Sequence, residues 1–204
     1  MICIAKPDIA IAYAKQQDLP KVSNPTILSD ENFRDAIPLF VIRHPVASVP
    51  SIYKLLMATT LVRPGSEAWR WMNGTGLQRY FVDIIKERDG KAPLIIDGDD
   101  VVWRTEEVGK AVSAAIGIDE KLLSTTWQPT PEKLAEYSEF RKYTTKVIHE
   151  SSGINKPAGP RPDYDLDKAV AEWKESYGEV VAEQLKQTVE EVMPHYEYMK
   201  QLAI

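Results

Sequence analysis

Arg43, Ser48 and Ser51 lie close together in Phe40-Val41-Ile42-Arg43-His44-Pro45-Val46-Ala47-Ser48-Val49-Pro50-Ser51, and their types suit a phosphate. The apolar run Leu39–Ile42 reads as a buried strand that delivers Arg43 to its carboxyl end, where open α/β folds bind ligands. A guanidinium grips two phosphate oxygens at once. The Ser48 and Ser51 hydroxyls project from the first turns of the next helix, whose free N–H groups and dipole add positive potential. A second reading stands beside this one: Arg43 pairs with Asp97, Asp99 or Asp100 at the sheet edge while Ser48 caps the helix. Those carboxylates could also hold Mg²⁺ beside phosphates, but capping of the following turn by Asp99 or Asp100 is the simpler reading.

Positioning such a site needs strands that alternate with helices. Three apolar runs carry the strand signal: Ile2–Ala5, Leu39–Ile42 and Leu94–Ile96. Val46–Thr60 has helical spacing, and because Pro50 is tolerated only near a helix start, that start is pinned near Pro45–Ala47. Ser66–Arg88 reads as an aromatic-rich helical stretch interrupted around Gly74 and Gly76. Thr105–Ile116 is a helix stopped by Gly117, and Pro131–His149 reads as another. A Gly-, Pro- and Ser-rich loop over Ser151–Pro162 follows, then a helical tail over Leu166–Met199 with a break at Gly178 and an interruption at Pro194. The order argues for an α/β fold: a parallel sheet flanked by helices, with a helix-rich C-terminal half, in a single domain over residues 1–204.

Composition narrows the function classes. Of 204 residues, 44% are hydrophobic and 27% charged, as in an ordinary globular protein. Lys and Arg number 25 against 30 Asp and Glu, a net charge of −5, so no whole-chain positive field exists for a nucleic acid. The single cysteine, Cys3, excludes an internal disulfide and a Cys-cluster metal site. With neither a signal segment nor a membrane-length apolar run, the chain reads as cytoplasmic, with no membrane partner. There is no Walker-A loop, no full dinucleotide fingerprint around Gly74-Thr75-Gly76, and no Gly-x-Ser-x-Gly elbow. His44, His149 and His195 lack ligand spacing, so no metal is expected.

The segment Ile42-Arg43-His44-Pro45 followed by Ser51 resembles the 3′-phosphate-binding strand and helix of sulfotransferases. In that family an Arg and a Ser eight positions later hold the 3′-phosphate of 3′-phosphoadenosine 5′-phosphosulfate. Asn24-Pro25-Thr26, Ser152-Gly153-Ile154, and Trp173-Lys174-Glu175-Ser176-Tyr177-Gly178 before Pro194 and Tyr196 resemble the fungal type of P-loop sulfotransferase-like proteins in the same order. The resemblance spans Lys6 to Leu202 and turns the reading of Arg43 towards phosphate. It implies the phosphosulfate donor as cofactor and no metal.

The departures are specific. The family's Gly/Ser/Thr-rich loop for the 5′-phosphosulfate has no counterpart here, so an N-terminally shortened fold is expected. Its Lys-x-His segment is matched by Lys6-Pro7-Asp8, with Asp8 where the basic His would stand; Asp8 as a cap of a helix over Ile9–Lys15 is the plain alternative. The donor-contacting tyrosine aligns with Gly98. Thr125-Thr126-Trp127 resembles the Thr-Ser-Phe segment near the nucleotide, marking Thr126 and Trp127, and Lys156 and Arg161 are the heirs of the basic loop over the 3′-phosphate. Tryptophans 69, 71, 103, 127 and 173 could wall an apolar acceptor pocket. The function expected is a sulfotransferase acting on a small hydrophobic hydroxylated metabolite. One alternative is a repurposed relative in natural-product biosynthesis, an isomerase, cyclase, dehydratase or hydrolase using Asp8, His44 or an Asp near 97–100. Another is a non-catalytic fragment whose exposed sheet edge pairs with a second copy.

Overall fold

The computed structural model describes residues 4–59 and 62–204. Cys3, Ile2 of the first expected strand and Thr60 of the expected helix end lie outside them. Two strands, β1 (Leu39–Ile42) and β2 (Leu94–Asp97), pair in parallel with Phe40 opposite Ile95 and Ile42 opposite Asp97. Phe40 and Ile42 face the core, while Leu39 and Val41 point outward and stay exposed. Of the expected first strand only Ile4 and Ala5 are described, and neither joins this sheet. Ala5 makes one antiparallel bridge to Thr26, and the chain turns directly into helix α1 (Pro7–Ala14).

Ten α-helices are described: α1, α2 (Asp30–Asp35), α3 (Pro45–Thr59), α4 (Glu67–Met72), α5 (Thr75–Asp89), α6 (Gly98–Trp103), α7 (Thr105–Ile116), α8 (Glu139–Glu150), α9 (Leu166–Tyr177) and α10 (Glu179–Gln201). Several starts and stops have a local cause. Ser29 and Ser66 cap α2 and α4 by accepting the N–H of Asn32 and Trp69, and Gly90 and Gly117 end α5 and α7 in the left-handed conformation. The stretch over Ser66–Arg88 breaks where expected, at Asn73-Gly74, although Gly76 lies inside α5.

Two helical expectations are corrected. Pro131–His149 is not one helix: a 3₁₀ segment covers Pro131–Glu136, and Ser138 then starts α8 by accepting the N–H of Arg141. An internal Ser that caps competes with continuation of the helix. Pro194, by contrast, does not interrupt α10, which runs through it. Its missing N–H would have served the Glu190 carbonyl, and both residues are exposed, on the side of α10 where solvent can take the place of the lost donor.

α10 organises the core because its long apolar face serves two clusters. Tyr196 and Met199 join Phe40, Ile42, Ile95, Phe81 and Ile9 around the sheet, α1 and α5. Leu185, Val189 and Val192 join Val46, Val49, Leu56, Trp69 and Trp173 between α3, α4 and α9. Trp69 is almost wholly buried, and its indole N–H donates to Thr188 Oγ1 at 2.9 Å, so the polar edge of a large apolar ring is satisfied. Among the described residues no helix is long and apolar enough to cross a membrane.

Candidate functional site

The carboxyl ends of β1 and β2 carry the site. β1 hands over to Arg43 and His44, and α3 begins at Pro45. His44 caps this start: its carbonyl accepts the N–H groups of Ala47 and Ser48 at 2.9 and 3.0 Å, and its ring Nδ1 accepts that of Val46 at 3.3 Å. Pro45 has no N–H. The first-turn donors expected to be free for an anion are therefore already used, which corrects that part of the phosphate reading and also shows His44, not Ser48, as the cap. With Nδ1 accepting, the neutral ring carries its proton on Nε2 and has no free lone pair, so His44 is a donor here and not a resting base. Burial lowers the His44 pKa below 6.5, against the pull of Asp97, Asp99 and Glu197.

β2 ends in a carboxylate cluster whose partners come from far along the chain. Asp97, fully buried, accepts the N–H of Asp99 at 3.0 Å and so caps α6, the role expected of Asp99 or Asp100. Its other oxygen accepts from Tyr196 Oη at 2.7 Å and Lys200 Nζ at 2.9 Å. Burial pushes Asp97 upward, but these hydrogen bonds together outweigh it, and the carboxyl ends below its ordinary range. Asp100, 1% exposed, accepts from Arg161 Nη1 at 2.8 Å and Lys200 Nζ at 3.1 Å, with Arg104 at 3.8 Å. Asp99 accepts from Tyr164 Oη at 3.1 Å. Among the described residues no group of three or more His, Cys, Asp or Glu is arranged to hold a metal ion.

These contacts strap the Gly/Pro/Ser-rich loop across α6. Lys156 sits over the Trp103 ring at 4.6 Å, Arg161 reaches Asp100, and Tyr164 stacks on His44 with centroids 4.2 Å apart. At the loop's other end Gly153 bridges Thr126 and Ser152 accepts the N–H of Trp127. A Cβ on Gly153 would lie 2.9 Å from the Thr125 carbonyl, so glycine is required for that pairing. Trp127 donates its indole N–H to the Ile148 carbonyl at 3.0 Å.

Arg43 is the exception among these charges. Its side-chain stem passes Gly98, where an added Cβ would stand 3.9 Å from the Arg43 Cβ, and its residue is exposed. No hydrogen bond or ion pair of its guanidinium is found among the described residues. The alternative that tied Arg43 to Asp97, Asp99 or Asp100 finds no ion pair here: Asp97 and Asp100 are held by Tyr196, Lys200 and Arg161 instead, and Asp99 by Tyr164. Ser48 is half-buried and Ser51 exposed, one turn apart on the same face of α3.

The structure thus gathers Arg43, His44 and Arg161 around α6, and joins Thr126 and Trp127 to the strap. Lys6 and Asp8 sit elsewhere, at the start of α1. The Lys6 N–H donates to the Pro25 carbonyl at 2.9 Å, and no side-chain bond links either residue to Arg43 or His44 among the described residues. Asp8 does not cap α1, whose N-cap is Lys6 with no side-chain bond. The tryptophans do not converge on one pocket: Trp69 and Trp173 are buried in one cluster and Trp71 packs on the other.

Two proteins similar to this chain are each described as "Sulfotransferase ppzF". The one from Metarhizium majus is 25% identical over 96% of this chain and 61% of its own length. That from Metarhizium rileyi is 26% identical over 96% of this chain and 60% of its own. The chain is sulfotransferase-like in sequence. It spans about three-fifths of the length of those relatives. No family model matches it, and no solved structure does.

Tyr164, Tyr196 and Lys200 were not visible as site residues in the sequence. Tyr196 and Lys200 stand one helical turn apart on α10, a spacing shared by many helical faces, so only the fold shows that both meet β2's carboxylates.

Proposed function

We propose that the chain carries the 3′-phosphate-binding part of a sulfotransferase-like enzyme that uses 3′-phosphoadenosine 5′-phosphosulfate. The observation that supports this reading most is the Arg43 guanidinium at the carboxyl end of β1, for which no hydrogen bond or ion pair is found among the described residues although Asp97, Asp99 and Asp100 lie at the end of the neighbouring strand. A cation left free there is available to two phosphate oxygens. Ser51, and Ser48 one turn earlier, add hydroxyl donors. Arg161 keeps N–H groups beyond the one given to Asp100, and Thr126 and Trp127, tied to the same strap, flank the nucleotide.

In the reaction proposed, the hydroxyl oxygen of a small hydrophobic acceptor attacks the sulfur, the bond from sulfur to the phosphate oxygen breaks, and adenosine 3′,5′-bisphosphate leaves. The hydroxyl proton passes to a base. His44 is spent on capping α3, so the match to the family's Lys-x-His segment makes Asp8 the proposed base and Lys6 the proposed cation, although both stand at the start of α1 without a bond to Arg43 or His44 among the described residues. Catalysis would rest on in-line positioning and charge stabilisation.

The test is to incubate the protein with the donor and a panel of hydroxylated aromatic acceptors and to follow release of adenosine 3′,5′-bisphosphate. Turnover that falls at least about tenfold in Asp8→Asn supports the roles assigned. Absence of any transfer together with absence of nucleotide binding refutes them.

A further inference from the structure

α8 has its amphipathic faces reversed. The half-buried side is polar: Lys142, Thr145 and His149 recur at helical spacing, His149 Nδ1 lies 2.7 Å from Thr130 Oγ1, and the His149 ring meets Tyr137 edge to face. The outer side is apolar. Phe140, Tyr143 and Val147 stand at i, i+3 and i+7, the spacing of a seam between two helices, and are 45%, 52% and 72% exposed. Leu134 of the 3₁₀ segment and Ala58 of α3 add apolar surface to a groove of about 540 Å³ beside Phe140 and Tyr143. The surrounding chain gives α8 no core of its own, for among the described residues none from Ala114 to Glu172 is buried. A helix of 12 residues is marginal by itself in water, and an aromatic and aliphatic stripe on its outer side calls for a cover.

The charges beside the stripe point to what covers it. α8 carries three basic and two acidic residues, so it offers little net attraction to a surface of one sign. Glu139 and Lys146 instead flank Phe140 and Tyr143 on the same side of the helix, seven residues apart and opposite in charge. A second α8 laid antiparallel about a two-fold axis midway between Phe140 and Tyr143 brings Phe140 against Tyr143 and Glu139 against Lys146, each contact made twice. The present partners of these charges lie on α8 itself, Lys142 at 2.7 Å from Glu139 and Glu150 at 3.8 Å from Lys146. Exposed pairs of this kind are weak enough to be exchanged.

We propose that α8 is the centre of a symmetric interface between two copies of this chain, with Phe140 and Tyr143 as its apolar contact and Glu139 and Lys146 setting its antiparallel register. The interface uses none of the residues assigned to the phosphosulfate donor. Analytical ultracentrifugation of the full chain is expected to show a reversible dimer. Phe140→Ser with Tyr143→Ser, both at exposed positions, should give a monomer with an unchanged circular dichroism spectrum. Lys146→Glu should weaken the dimer at least about tenfold by setting like charges together, and Glu139→Lys added to it should restore the affinity. A chain that stays monomeric up to about 1 mM would overturn the proposal. A dimer that survives Phe140→Ser with Tyr143→Ser would do the same, since the contact would then lie elsewhere, and so would a double charge reversal that recovers nothing. A monomer that co-sediments with phosphatidylserine vesicles would assign the stripe to a lipid surface instead.

Discussion

Tyr164 lies face to face on His44, with ring centroids 4.2 Å apart and planes 8° from parallel. His44 in turn caps α3 through its ring and its carbonyl, so one stacked pair ties the strap loop to the start of the helix that carries Ser48 and Ser51. The Tyr164 hydroxyl adds a bond to Asp99, and burial with that carboxylate raises its pKa to about 12. The tyrosine is therefore a neutral donor throughout the physiological range.

Removing this clasp should free the loop before it unfolds the domain. Tyr164→Ala is expected to cost about 1–3 kcal/mol from the lost stacking and hydrogen bond, and Tyr164→Phe less, since the stack survives. Limited proteolysis should cut the Ala variant faster within residues 151–163. Equal cutting rates in the wild type and Tyr164→Ala would show that the clasp does not hold the loop.

Lys200 makes a different kind of contribution. It bridges two carboxylates that are almost completely buried, at 2.9 Å and 3.1 Å. Its own side chain is about a third exposed, so solvent screening reduces its worth, and Lys200→Met is expected to destabilise by about 2 kcal/mol. Asp97→Asn in the same chain should recover part of that loss, because one of the two uncompensated charges is removed. Denaturant unfolding of the single and double variants measures both; strictly additive losses would mean that the residues are not coupled.

How much of this was readable beforehand follows from distance along the chain. The β1–α3 unit was legible because strand, Arg43 and helix start are consecutive and Pro45 marks the first turn. Gly117 and Gly178 marked their helix boundaries for equally local reasons. The carboxylate cluster was not legible: Tyr196 meets Asp97 and Lys200 meets Asp100 only after α10 has packed across the sheet, and no local pattern encodes that meeting. Pro194 misled for the opposite reason, since a local rule predicted a break that solvation of an exposed carbonyl made unnecessary.

Histidine ionisation gives a pH dependence with a definite sign. Burial lowers the pKa of both His44 and His195 below 6.5, so the unfolded chain binds protons that the folded chain refuses. Stability is then fully present above 6.5 and declines as pH falls below it. Thermal unfolding across that interval should show the decline, and His44→Gln with His195→Gln should flatten it. A stability that rises as pH drops through that interval would contradict the burial of both rings.

The most direct test of the phosphate assignment is calorimetric titration with adenosine 3′,5′-bisphosphate in the wild type, Arg43→Ala and Ser51→Ala. The account predicts saturable binding in the wild type, weakened at least about tenfold without the guanidinium and by a smaller factor without the hydroxyl. No binding by the wild type, or binding that Arg43→Ala leaves intact, would contradict it.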